Sequence, residues 1–406
     1  MNQTKVIREL LGIRDFRLIW LGVLFSQIGD WIQITTQGWL VEDMTSSALA
    51  VTIVTASGIM PQLIFILVGG VVADQYNKKS IMRILVMAQL AISTLLTVLI
   101  INGLTSILIL SLLSFALGIC AALWQPIYLS FIPELIPKKL METAMGVSLA
   151  SLYSARTFGP ILASMSIAIL GIRNTYIFNT ISFLMPLIVL YLIQTDGTSV
   201  KSKRGALVDL VEGSKVIAKD KVLFPLWLLC VGLSLGILPI FALLPVFSND
   251  VLKTGATGLG ILMGIGGTGQ LLGAISISIL GQTHSSHYGK KQIFGYIVIG
   301  CLVCIFSVSQ TILISSIAFG FFNFFHGLLS PRVNTIVQLY VVPSRRGRVQ
   351  SLFLFTFGLV PIGQIALGYM ADLLEPQTAM FIPSFTFMVM SSLMLILAPQ
   401  LSNFEL

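Results

Sequence analysis

The sequence predicts an all-α polytopic membrane protein with twelve transmembrane helices in two pseudo-symmetric six-helix bundles. Three observations carry this. Hydrophobic residues make up 56% of the 406 and charged residues only 10%, too few charges to cover the surface of a soluble domain. Apolar stretches recur along the chain at about the 20 residues needed to cross a hydrocarbon core of roughly 30 Å. Basic residues gather in alternate loops between those stretches. Lipid offers no partner to open backbone groups, so the spans must be helices; the short alternating segments of a membrane barrel are not the pattern seen.

The spans read, in order, 16–41, 48–73, 80–101, 106–130, 143–169, 174–193, 222–247, 256–280, 292–309, 312–338, 349–371 and 378–398. One set of loops, with the termini and the first turns of adjoining spans, holds twenty of the twenty-four basic residues, among them Lys78, Lys79, Lys138, Lys139, Lys290, Lys291, Arg345, Arg346 and Arg348. The opposite loops hold Arg173 and Lys253 together with Glu42, Asp43, Asp250, Asp372 and Glu375. The positive-inside rule then places both termini in the cytoplasm, in a bacterial cytoplasmic (inner) membrane. Residues 1–15 are polar and basic, and the first apolar run is too long for a cleavable signal peptide. The net charge of +8 sits in short loops, so it sets topology and argues against nucleic-acid binding. Cys120, Cys230, Cys301 and Cys304 all lie in apolar stretches and are read as buried small hydrophobes without a disulfide.

The longest loop, 194–221, reads Gln194-Thr195-Asp196-Gly197-Thr198-Ser199 and then a basic patch. It is a linker, with a short surface helix expected near 206–219. The expected domains are therefore an N-terminal bundle 1–193, the linker 194–221 and a C-terminal bundle 222–406. A repeat supports them. Gly69, Tyr76-Asn77-Lys78-Lys79 after span two is echoed by Gly281, Tyr288-Gly289-Lys290-Lys291 after span eight. Pro133-Glu134 and Pro137-Lys138-Lys139 after span four are echoed by Pro343-Ser344-Arg345-Arg346 after span ten. Internal duplication is a mark of secondary transporters.

With its central loop and paired repeat loops, the whole chain resembles the major facilitator superfamily. The segment Gly69, Asp74, Lys78 and Lys79 is similar to that family's signature loop, with Ser286 where the second copy of the loop carries an acid. The resemblance implies a conformational latch in which Asp74 caps a helix end and pairs with a cation across the gap between the halves. Gly146, Ala155 and Gly159-Pro160, followed by Ala163-Ser164, resemble the superfamily's antiporter motif in span five, with Ala155, Ala163 and Ser164 where the pattern has glycines. Small residues at that spacing let another helix approach, and Gly159-Pro160 is expected to bend the span. Phe16-Arg17-Leu18-Ile19-Trp20, Ser26-Gln27-Ile28-Gly29-Asp30-Trp31 and Trp39 to Thr45 look like the branch of macrolide-type drug exporters and the enterobactin exporter. That branch also holds a lysophospholipid transporter, so membership does not name a substrate.

Two charges lie deep within spans. Asp30 is about 14 residues into span one and Arg156 about 13 into span five, so they share a depth; charge there is costly and a functional candidate by default. At about 100° per residue, Ser26, Gln27, Asp30, Gln33 and Gln37 fall within an arc of about 120° on span one. The reading is a transport cavity lined by spans one, four, seven and ten, to which Gln125, Tyr128 and Asn323 contribute; a polar seam that merely joins helices is the alternative. Asp30, Arg156 and His326 are the proton-coupling candidates. Glycine-dense span eight is expected to pack closely or to unwind. No P-loop, metal-ligand cluster or nucleophile–base set is visible, so the chain reads as no enzyme and as needing no cofactor. The function expected is proton-coupled export of a bulky amphipathic molecule such as a drug or siderophore, by a monomer whose partners are that substrate, protons and membrane lipid. A lipid flippase of the same fold is the alternative, and a membrane-embedded receptor or enzyme the least supported.

Overall fold

The structure is a computed structural model that describes residues 3–197, 206–280, 287–342 and 345–405. Gly281, Ser286, Pro343, Ser344 and the linker residues 198–205, all part of the sequence reading, lie outside the described residues. So do the side chains of Gly69 and Asp74, within a described helix.

A short amphipathic helix α1 (Gln3–Gly12) leads into α2 (Arg14–Thr45), the first span. The second span is α3 (Ala48–Ile59) and α4 (Pro61–Gln75), broken where Pro61 enters the first turn of α4. Then come α5 (Lys78–Ile101), α6 (Ile107–Leu135), α7 (Met141–Ser182) and α8 (Leu184–Leu192). Spans five and six run on as a helical stretch, Thr143–Leu192. They are separated by Gly171, whose φ of 79° and ψ of 167° end one helix and aim the next. Eleven helical stretches among the described residues are long and apolar enough to cross a membrane; the division at Gly171 makes twelve spans.

The surface helix after the linker is α9 (Ala206–Lys219). Span seven is α10 (Leu223–Gly232) and α11 (Ile240–Val246), with π-helical turns at Leu233–Ile237 and Phe247–Val251. Pro239 and Pro245 remove backbone donors there, and wider turns absorb the lost bonds. The rest are α12 (Gly255–Leu280), α13 (Tyr288–Val308) and α14 (Ile312–Tyr340), then α15 (Arg346–Phe355) with α16 (Val360–Leu374), α17 (Pro376–Leu397) and α18 (Pro399–Ser402).

The chain forms two compact units. One contains 1–40 and 57–203; the other contains 41–56 and 204–406. In the first, the core beneath α2, α5, α6 and α8 is built on Phe16, Met82, Ile127, Phe131 and Val189, each at most 2% exposed. In the second, α12 lies unusually close to α14. A Cβ on Gly269 would come within 2.2 Å of the Gly320 carbonyl, and one on Gly273 within 2.0 Å of the Phe324 carbonyl. The glycines of span eight thus serve close packing. Also in the second unit, the Asp372 carboxylate caps α3: it accepts from the Ala48 N–H at 2.7 Å, the Leu49 N–H at 3.3 Å and the Ser47 hydroxyl at 2.8 Å. A Cβ on Gly368 would lie within 1.8 Å of the Thr52 hydroxyl, so α16 packs flush against α3.

Candidate functional site

Most of the candidate residues lie in the first unit, on α2, α6 and α7. The polar arc of α2 divides by position. Gln37 donates to the Ser114 hydroxyl of α6 at 2.6 Å, and Gln33 accepts from the Asn179 amide of span six at 2.7 Å. Both glutamines are buried, at 5% and 6% exposure. They join helices of one bundle, which corrects the expectation that the whole arc lines a cavity: an amide that finds a partner in hydrocarbon is held by it. Ser26 is buried too. Gln27 and Asp30 remain half-buried. Asp30 lies within electrostatic range of Cys120 on α6.

Arg156 reaches α2 one residue along from Asp30. Its guanidinium lies over the Trp31 ring, 5.4 Å from the centroid. Three ion pairs occur among the described residues, Arg14–Asp15, Lys78–Glu134 and Lys139–Glu9; Asp30 and Arg156 do not form one. The approach of α7 to α2 depends on Gly159, where a Cβ would come within 2.4 Å of the Trp31 Cβ and 3.1 Å of the Ile28 carbonyl. Ala155 beside it is fully buried. Gly146 is different: a Cβ there would meet nothing within 4 Å. The non-helical residue inside α7 is Gly171, eleven residues beyond Pro160, and it is the break between spans five and six; the backbone at Gly159-Pro160 keeps helical angles. On α6, Tyr128 is fully buried, stacks on Trp124 at 4.8 Å and donates to the Ser148 hydroxyl of α7 at 3.1 Å. Its neighbour Gln125 is exposed.

The signature loop also resolves into bonds. Asn77 caps α5, accepting from the Ser80 N–H at 2.9 Å. Lys78 and Lys79, 5% and 8% exposed, are not solvated. Lys78 pairs with Glu134 at the end of α6, and Lys79 donates to the Ile193 carbonyl at 2.6 Å. Arg83 donates twice to the Leu190 carbonyl, at 3.0 and 2.8 Å, and lies over the Tyr191 ring. Asp15 accepts from the backbone of Gln194 and Thr195, each at 2.9 Å. Cations from α5 thus sit on the negative end of α8, while an anion from α2 holds the turn beyond.

In the second unit, Asn323 is 1% exposed, donates to the Phe319 carbonyl at 2.8 Å and lies against Gly266. His326 is 3% exposed and stacks on Phe322. Asn323 lies in the close contact of α14 with α12, and Phe322, on which His326 stacks, packs against Phe241 of α11.

Three contributors escape a reading of the sequence alone: Glu134 as the partner of Lys78, Asn179 as that of Gln33, and Trp31 as the platform for Arg156. Asn179 had a signal, being an amide in an otherwise apolar span.

A family model described as transmembrane secretion effector matches residues 10–405. The chain is 23% identical over 358 residues to the staphyloferrin A transporter of Staphylococcus aureus, covering 85% of this chain and 86% of that one. It is 22% identical over 368 residues to the multidrug efflux pump Tap of Mycolicibacterium fortuitum, covering 87% and 88%. Identity with macrolide efflux protein A of Streptococcus pyogenes is 23% over 370 residues, covering 88% and 89%. In fold it resembles a POT family transporter in complex with 5-aminolevulinic acid, at TM-score 0.75 and 12% identity, covering 96% of this chain and 97% of that one. It also resembles a bacterial homologue of the lysosomal transporter Spinster in an inward-facing, unoccupied conformation, at TM-score 0.68 and 13% identity, covering 96% of each. The chain belongs to the transmembrane secretion effector family of the major facilitator superfamily and is a multi-pass membrane transporter, not an enzyme.

Proposed function

We propose that this transporter exports a bulky amphipathic small molecule, of the drug or siderophore class, in exchange for protons and by alternating access. The observation that carries the reading is the seat of Arg156 on Trp31, the residue next to Asp30, which puts the two charges at one level of the first unit. A carboxylate and a guanidinium at mid-span are each costly in hydrocarbon. A proton on Asp30 removes one charge and leaves the positive field of Arg156 less compensated, so that a substrate anion is drawn to it. The relatives' names support a small-molecule cargo: one transports staphyloferrin A, others export drugs or macrolides. None of those three names a lipid, so the flippase alternative gains no support from them.

On this reading both termini face the cytoplasm of a bacterial inner membrane, the domains are bundles 1–193 and 222–406 joined by 194–221, and the working unit is a monomer. His326, Gln125 and Asn323 remain cavity or coupling candidates, and Asp74 the latch. Lys78 and Lys79, on the same bundle as Asp74, are engaged there with Glu134 and the Ile193 carbonyl.

The test is transport in proteoliposomes under an imposed pH gradient, with a macrolide and an iron-free carboxylate siderophore as probes. Wild type accumulates a probe as the gradient dictates. Asp30→Asn folds and binds the probe but loses its response to the gradient. Gradient-independent transport by wild type, or an unchanged response in Asp30→Asn, overturns the coupling assignment.

A further inference from the structure

A second polar feature lies in the second unit, where α9 meets the start of α15. A cavity of about 450 Å³ opens there, lined by Lys215, Val216, Lys219, Asp220, Arg345 and Arg348. It is large enough for a small polar group. We infer that this cleft is a binding site for a phosphate-ester anion, and that the phosphate it holds is the headgroup of an anionic membrane lipid.

Charge comes first. Four cationic side chains face one carboxylate in the lining. The carboxylate is spent on its own wall. Asp220 Oδ1 accepts from the Val222 and Leu223 N–H groups at 2.8 and 2.9 Å, capping α10, and Oδ2 accepts from the Tyr340 hydroxyl at 3.2 Å. None of the ion pairs among the described residues uses Lys215, Lys219 or Arg345. The cleft is therefore strongly positive, with two lysines one helical turn apart facing an arginine pair. Arginine matches the oxygens of a phosphate in a fixed fork, and lysine adds a point charge. The first turn of α15 adds the positive end of a helix.

Rigidity comes second. Gly213 brings α9 against the backbone of α15: a Cβ there would lie within 2.4 Å of the Arg348 carbonyl. Ile217, 3% exposed, anchors the apolar side of α9. Trp227 donates to the Leu352 carbonyl at 3.3 Å, tying α10 to α15. The walls are thus set before a ligand arrives, which lowers the cost of ordering them.

Location selects the source of the phosphate. Lys219 ends α9, and only the turn 220–222 separates it from Leu223, the first residue of α10. Arg345 immediately precedes the span Arg346–Leu374. Headgroup layers extend about 5–7 Å beyond each side of the hydrocarbon, so the cations stand at headgroup depth. Free phosphate would reach the same charges from water.

The experiment uses the full chain in neutral detergent and follows thermal stability against added short-chain phosphatidylglycerol, phosphatidylcholine or inorganic phosphate. A triple variant Lys215→Gln, Lys219→Gln, Arg345→Gln alters exposed side chains. A control triple Arg8→Gln, Lys138→Gln, Lys290→Gln removes the same charge from other exposed positions. Phosphatidylglycerol is expected to stabilise wild type and the control at concentrations where phosphatidylcholine does not. A basic residue near an anionic surface is worth about a fivefold gain in affinity, so the cleft triple should need on the order of 100-fold more lipid. Protection by inorganic phosphate alone, lost in the cleft triple, keeps the phosphate site and overturns the lipid as its source. Equal loss in both triples, retained response in the cleft triple, or no response to either anion overturns the site. None of these outcomes depends on transport.

Discussion

Replacing Gly159 and Gly146 by alanine in turn tests whether α7 is built around one close approach or around a general preference for small residues. At Gly159 the added methyl would sit 2.4 Å from the Trp31 Cβ. Carbon atoms rest at about 3.5–4.0 Å, so α2 and α7 must part locally by about 1 Å or Trp31 must move with its backbone. The obstacle is a Cβ and not a flexible tip, so the cost falls in the overpacking range of about 1–3 kcal/mol. Gly146 offers the opposite case. Its methyl enters open space, and alanine gains up to about 1 kcal/mol of helix propensity over glycine. At roughly 2–4 °C per kcal/mol for a unit of this size, Gly159→Ala should melt some 2–12 °C below wild type and Gly146→Ala at or above it. The assay is thermal unfolding in detergent, read by intrinsic fluorescence, with transport followed in parallel. Arg156 reaches Trp31 one turn away, so transport should fall with Gly159→Ala and hold with Gly146→Ala. A Gly159→Ala protein as stable as wild type, or two variants that fall equally, would refute the reasoning.

Other expectations follow from the same contacts. Gly269→Ala places a methyl 2.2 Å from the Gly320 carbonyl; it should destabilise by about 1–3 kcal/mol, with hydrogen exchange rising along α12 and α14. Asp372→Ala should cost about 1 kcal/mol of capping, while Asp372→Asn, which keeps an acceptor, restores most of it; proteolysis near Ser46 and Ser47 reads the difference. Arg83→Lys loses the paired donation to Leu190 and the Tyr191 contact, at about 1–2 kcal/mol, seen as faster exchange of amides at 190–195.

The spans were legible because lipid leaves a chain few choices: a long apolar run must be a helix. Even the division of spans five and six was readable, since the gap between 169 and 174 holds the single glycine that turns there. Side-chain partners were harder. Gln33 and Gln37 share an arc with Asp30, but periodicity says only which residues share a face. Whether an amide looks at a cavity or at Asn179 depends on what a neighbouring helix presents, and that lies some 146 residues away in the chain. Lys78 and Lys79 read as topology signals, yet both are buried, because Glu134 and the end of α8 are brought to them by the bundle. The spacing of small residues in span five marked a close approach; it did not distinguish Gly159, which α2 touches, from Gly146, which nothing touches.

The cap that Asp372 places on α3 joins residues 324 apart in sequence, and synthesis proceeds from the amino end. At about 5–20 residues per second, roughly 15–65 s separate the emergence of Ala48 from that of Asp372. Throughout that interval the first turn of α3 has been made but lacks its acceptor, and Thr52 lacks the glycine face of α16. The first turn of the second span is among the first pieces of the protein to leave the ribosome and among the last to settle. A chain stopped short of residue 372 would carry that end unfinished, a mark by which quality-control proteases could tell a truncated molecule from a complete one.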